Sequence, residues 1–136
     1  MAFVAGKNAV LKLDNNGGSL VDLSSYITDV SHSLDTATAE TTALGSSDTS
    51  VIATIGSGSV SVTGLFDATL LAHLGGIRGS ATTKSYEFFP EGTASGKPKI
   101  SGECVLTNMS PSASVGGVEG LSFSLDCTGA QTIGTV

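Results

Sequence analysis

Histidine, cysteine and carboxylate side chains are the groups that could bind a metal or move a proton. The chain offers His32, His73, Cys104, Cys127 and twelve Asp and Glu residues in 136 positions. Neither histidine has partners at ligand spacing. His73 falls in an apolar stretch and reads as a helix surface or packing residue. His32 sits in a polar segment, with no third ligand near either one. Asp35, Glu40 and Asp48 share that segment. Close carboxylates can do acid–base work or hold a cation, but calcium loops crowd their oxygens around a tight glycine turn, and these three are spread too widely. A solvated loop accounts for them. Residues 55–64, IGSGSVSVTG, look like a phosphate-cradling loop. They precede a strand instead of opening a helix, so they read as a turn before that strand. GxSxG, P-loop and HExxH patterns are missing. The expectation is a protein that is not an enzyme, with no catalytic residue, no metal ligand and no cofactor. Two cysteines make no disulfide scaffold. Free buried thiols are the preferred reading over a single bridge.

Composition points away from catalysis and towards burial against partners. Charged residues are 13% of the chain, against about 25% in an ordinary domain. There are 18 glycines, many Ser and Thr, three prolines and no Trp. Few charges mean little desolvation cost when surface is covered, as permanent interfaces require. The net charge is −6, and the six basic residues are scattered. That excludes a phosphate grip built on clustered Lys and Arg. With no Trp and two Tyr, little is available to stack on sugars. No apolar run approaches the roughly 20 residues that span a bilayer, and the N-terminal residues lack a convincing signal-peptide plan.

These side chains must be carried by strands. The length predicts one domain, residues 1–136. Residues 10–13 and 19–23 flank Asn15, Asn16, Gly17 and Gly18, a hairpin signal. A strand region resumes at 26–30. Residues 59–66 alternate Val60, Val62 and Phe66 with Ser59, Ser61 and Thr63, the clearest strand in the chain. Residues 67–74 place Leu70, Leu71 and Leu74 on one helical stripe. Asp67 or Thr69 can cap its start, and Gly75 and Gly76 can end it. Further strands are expected at 83–89, 99–109 and 118–127, the last two antiparallel neighbours. Cys104 and Cys127 lie on the core-facing parity of those strands. The fold class is mainly β: an antiparallel β-sandwich or partly closed β-barrel of six to eight strands with one short flanking α-helix. Residues 34–50 are too polar for a core strand along their full length and too long for an ordinary connection. Part of the segment can extend a strand, and the rest reads as a protruding loop.

The chain resembles the major tail, or tail-tube, proteins of long-tailed bacteriophages and phage-like gene transfer agents. Residues 24–50, SSYITDVSHSLDTATAETTALGSSDTS, carry the likeness first. VSVTGLFDATLLAHLGG at 60–76 follows. YEFFPEGTASGKPKISGECVLTNMS at 86–110 and VEGLSFSLDCTG at 118–129 complete it. The resemblance implies hexameric rings that stack into a tube whose bore passes DNA transiently and without sequence specificity. It implies an assembly loop at 34–50 with Leu34, Asp35, Glu40, Leu44 and Asp48 as inter-subunit contacts, and both termini as further contacts. It also implies tape-measure, tail-terminator and baseplate proteins as partners, a place in the tail of a virion or phage-like particle assembled in a bacterial cytoplasm, and no membrane insertion. The alternative is a tail-terminator or head–tail joining protein that forms one non-polymerising ring. A pilin-like adhesion subunit and a carbohydrate-binding module are more distant alternatives.

Overall fold

The computed structural model describes residue 3 and residues 5–136. Among them are seven strands and one α-helix. The strands are β1 (Val10–Asp14), β2 (Leu20–Asp22), β3 (Ile27–Glu40), β4 (Val51–Leu65), β5 (Lys84–Phe89), β6 (Pro98–Ser112) and β7 (Gly120–Thr135). The helix, α1 (Ala68–Ile77), lies between β4 and β5. All strand pairs are antiparallel, in one sheet of order β2-β1-β5-β6-β7-β4-β3. The sheet curls without its two ends joining. β3 and β1 face each other across an open seam, where residues of both line a shallow groove of about 400 Å³. The mainly-β expectation with one short helix is met.

Local chemistry explains the elements. The β1–β2 turn forms where Asn and Gly predicted it. Asn15 Oδ1 accepts from the Gly17 N–H at 2.9 Å and the Ser19 N–H at 3.1 Å, and Gly18 adopts φ +83°. β7 alternates Leu121, Phe123 and Leu125 inward, each at most 2% exposed. They meet Val60 and Val62 of β4, Leu11 and Leu13 of β1, and Tyr86 of β5 in one apolar cluster. β6 and β7 pair from Ser112↔Gly120 to Pro98↔Thr135, so the two strands run longer than their alternating segments. An irregularity between Leu106 and Asn108 resets the parity of β6. Met109 therefore joins the core side opposite Phe123.

Two expectations change and one gains its boundary. Gly56 and Gly58 are not in a turn. They lie inside β4, paired with Thr36 and Leu34. Side-chain alternation gives no signal where residues lack side chains, yet β3 supplies a full backbone partner there. The segment at 34–50, expected to be part strand and part loop, divides at Glu40: residues 34–40 belong to β3, and the connection is 41–50. Finally, α1 runs through Gly75 and Gly76 to Ile77, and the left-handed residue is Gly79 at φ +72°. Asp67 caps the start, accepting from the Thr69 N–H at 2.8 Å. The stripe buried is Leu70, Leu74 and Ile77, while Leu71 is only half-buried. His73 Nε2 meets the Asp14 carbonyl oxygen at 3.1 Å and ties the helix to β1.

Candidate functional site

The longest exposed stretch of the chain is a hairpin. Residues 33–57 are all exposed except Thr42. β3 and β4 continue to pair there as far as Glu40↔Val51, beyond Ser59↔Asp126, the last position at which β7 pairs with β4. The hairpin therefore extends as a two-stranded ribbon. Its end is closed by hydrogen bonds: Thr41 N–H to the Ser50 carbonyl at 2.7 Å, Thr41 Oγ1–H to Ser50 Oγ at 2.9 Å, and Ser50 N–H to Thr42 Oγ1 at 2.8 Å. All five residues singled out from the sequence lie on this hairpin. Leu34, Asp35 and Glu40 are on β3, opposite Gly58, Ser57 and Val51, and Leu44 and Asp48 are in the connection. Sequence reading passed over Val51, Ile52 and Ile55, which are 56%, 55% and 75% exposed. Their signal is an apolar V-I-x-x-I beside a polar segment, masked because regular alternation begins only at Ser59.

The hairpin is rooted in the interior. His32, on β3 just before the exposed stretch, places Nε2 2.7 Å from the Tyr86 hydroxyl of β5. The Cys127 thiol of β7 donates to that same oxygen at 3.3 Å. With the thiol as donor to the phenol oxygen, the phenol O–H is free to donate to a neutral His32 Nε2. Nδ1 then carries the remaining proton, and that nitrogen has no hydrogen-bond partner. Burial holds His32 below the usual imidazole range, against the weaker opposing pull of the Ser33 backbone. Burial also pushes the Tyr86 phenol up, reinforced by Cys127. All three groups are thereby kept neutral near pH 7, as a low-dielectric interior requires.

A second feature is the outward face of β3, β4, β7 and β6. Cross-strand register lines up Asp29, Thr63, Ser122 and Ser110 in one row. Ser31, Ser61, Ser124 and Asn108 form the next, and Ser33, Ser59, Asp126 and Val105 a third. Residues 29–35, 57–63, 105–110 and 122–126 contain no Lys or Arg. The face is small, hydroxyl-rich and acidic. Basic residues lie outside these rows, although Arg78, just after α1, borders residues 106–110 of β6. Lys99 pairs with Glu87 at 2.7 Å, Lys12 and Lys99 both lie over the Phe89 ring, and Lys84 is buried.

Among the described residues no three His, Cys, Asp or Glu side chains are grouped to hold a metal ion, and no helix is long and apolar enough to cross a membrane. Asp35, Glu40 and Asp48 are not drawn together into a carboxylate cluster.

No family model and no curated protein matches the chain. Solved structures do. The chain is similar to one in a structure described as the virion of a native gene transfer agent particle, with TM-score 0.79 and 17% identity over 97% of this chain and 99% of that one. It is similar to one in the tail of an empty gene transfer agent particle refined with C6 symmetry, with TM-score 0.80, 16% identity and the same coverage. The SPP1 tail tube gives TM-score 0.77 and 13% identity over 98% of this chain and 80% of that one. At such identities the likeness is one of fold, and the fold is that of tail-tube structures.

Proposed function

We propose that the chain is the repeating structural subunit of a phage-like tail tube. Copies close into hexameric rings, rings stack, and DNA passes through the bore. The tube sits in the tail of a virion or gene-transfer particle assembled in a bacterial cytoplasm. Its partners are further copies of itself, with tape-measure, terminator and baseplate proteins at its lumen and ends. Its role is mechanical and not catalytic.

The observation that carries this reading is surface left uncovered. The chain exposes 8231 Å². A compact monomer of 13.5 kDa would expose about 6500 Å². The excess is on the order of two standard interface halves of about 800 Å² each. Much of it belongs to a preformed hairpin bearing exposed Leu34, Leu44, Val51, Ile52 and Ile55. A free monomer gains nothing from displaying such groups, whereas a ring or stack buries them. Leu34, Asp35, Glu40, Leu44 and Asp48 are assigned to contacts with neighbouring copies. The outer strand edge of β3 would be satisfied in the same way, by a neighbour's backbone.

The hydroxyl-rich face is assigned to the bore. Rows without Lys or Arg offer no ion pairs to phosphates, and Asp29 and Asp126 repel them, so DNA slides without sticking.

Electron microscopy and sedimentation of purified protein at rising concentration test the assignment. Stacked tubes with a central bore are expected. Discrete hexamers that never lengthen would favour the single-ring terminator role. Folded material that stays monomeric at every concentration, with no ring or filament containing it, would refute assembly.

A further inference from the structure

Cys104 and Cys127 are direct cross-strand partners in the β6–β7 ladder. Both are free thiols, and both face the core side of the sheet: Cys104 is 0% exposed, and Cys127 packs against the core cluster, only partly buried. Directly opposed residues in an antiparallel ladder have Cα atoms about 4.5–5.5 Å apart. That interval lies inside the range of about 4.4–6.8 Å found for disulfide-bonded pairs. The pair is flanked by two irregularities in the ladder, between Ser101 and Glu103 and between Leu106 and Asn108. Irregularities of this kind bend a strand and increase its local twist. Each sulfur currently spends its weak hydrogen bond elsewhere: Cys104 Sγ–H to the Lys84 carbonyl oxygen at 3.3 Å, and Cys127 Sγ–H to Tyr86 Oη at 3.3 Å. Neither bond is strong enough to hold a side chain against a covalent alternative.

We infer that Cys104 and Cys127 form a latent intramolecular disulfide, a modification site that ties β6 to β7 beneath the Tyr86–His32 root of the hairpin. The oxidant is a small-molecule disulfide. Cys127 reacts first because it is the accessible member. Its thiolate attacks one sulfur of the reagent, a mixed disulfide forms, and one small thiol leaves. The Cys104 thiolate then attacks Cys127 Sγ and expels the second small thiol. Two protein S–H groups and one reagent S–S become one protein S–S and two reagent thiols, with no other redox partner. Burial raises both thiols, Cys104 to about 12, so the thiolate is scarce and the exchange is slow at neutral pH. In the folded chain the tie thus forms slowly, over long exposure to an oxidising medium.

The full chain is equilibrated for days in buffers of oxidised and reduced glutathione. It is then quenched with iodoacetamide in denaturant, weighed and peptide-mapped. A parallel sample is refolded from urea in the oxidised buffer, which removes burial as a barrier. The expected product is monomeric in covalent terms. It is lighter by the two lost hydrogens, resists alkylation at both positions, and maps as Cys104 linked to Cys127. Cys104→Ser and Cys127→Ser each abolish it. Closing a loop of this length should raise the Tm by roughly 10 °C. Two alkylatable thiols in both samples, covalent dimers as the main product, or a linked form that melts below the dithiol form would each overturn the inference. Any of these can occur whether or not tubes form, so the outcome is separable from the assembly assignment.

Discussion

At the scale of the residue, Gly64 carries a constraint that composition hides. A Cβ at this position would collide with the Tyr26 carbonyl oxygen, where β3 begins against β4. The contact is with backbone, so it cannot be relieved by a rotamer change. Gly64→Ala is expected to cost about 1–3 kcal/mol, read as a lower urea midpoint with unchanged m-value. The two histidines give a pH dependence with a definite sign. Burial lowers both below the ordinary 6.5. The unfolded chain therefore takes up protons that the folded chain refuses. Stability is full above about pH 6.5 and falls as the pH drops below it. Urea titrations between pH 5 and 8 should show this, and the slope should shrink in His32→Gln. A stability that rose on acidification over this interval would contradict the buried, neutral assignment of His32 beside Tyr86.

At the scale of the element, α1 belongs to the core and the hairpin to the proposed assembly surface. Leu70 and Leu74 are both 0% exposed and belong to the main cluster, whereas Leu71 is half-buried. Leu74→Ala should cost about 2–5 kcal/mol, and Leu71→Ala clearly less, as compared by denaturant melts. The hairpin should behave oppositely. Replacing residues 36–55 by a short Asn-Gly turn keeps β3 and β4 paired up to Leu34↔Gly58 and removes chain that is exposed at every position but Thr42. The shortened protein is expected to retain its circular dichroism and cooperative melting, and to form no tubes under the electron microscope. Normal tubes from it would remove the hairpin from the assembly account. Cutting at 34–50 alone would be a poorer experiment, because it strips β3 of residues while leaving their β4 partners unpaired.

At the scale of the whole molecule, the distribution of charge matters more than its sum. The strand segments that form the hydroxyl rows, residues 29–35, 57–63, 105–110 and 122–126, hold no Lys or Arg, and their outward positions include Asp29 and Asp126. Ser61→Lys with Ser124→Lys places two cations in one cross-strand row without touching the core. Tubes should still form. They should bind DNA in a way that weakens steeply with salt, whereas the parent tube should not, as filter-binding at two ionic strengths would show. Unchanged DNA binding in assembled double-mutant tubes would move the bore to another face.

Patterns of period two and the turn chemistry of Asn15 to Gly18 were enough to read the strands of the core, the first hairpin, the β6–β7 pairing and the existence of α1. The reason is that burial on one face imposes alternation directly on the residue order. The same chain order also argued that Cys104 and Cys127 share the core side. It could not place them opposite each other, because register is settled only when two strands pair along their whole length. Nor could it show that Gly56 and Gly58 are strand, that residues 34–40 extend β3, or that α1 continues through two glycines. Those segments are held by backbone partners and by tertiary contacts such as His73 with Asp14, which leave no imprint on side-chain periodicity. Where a segment is specified by what it buries, the sequence determined it; where it is specified by what its backbone meets, only the folded sheet decided.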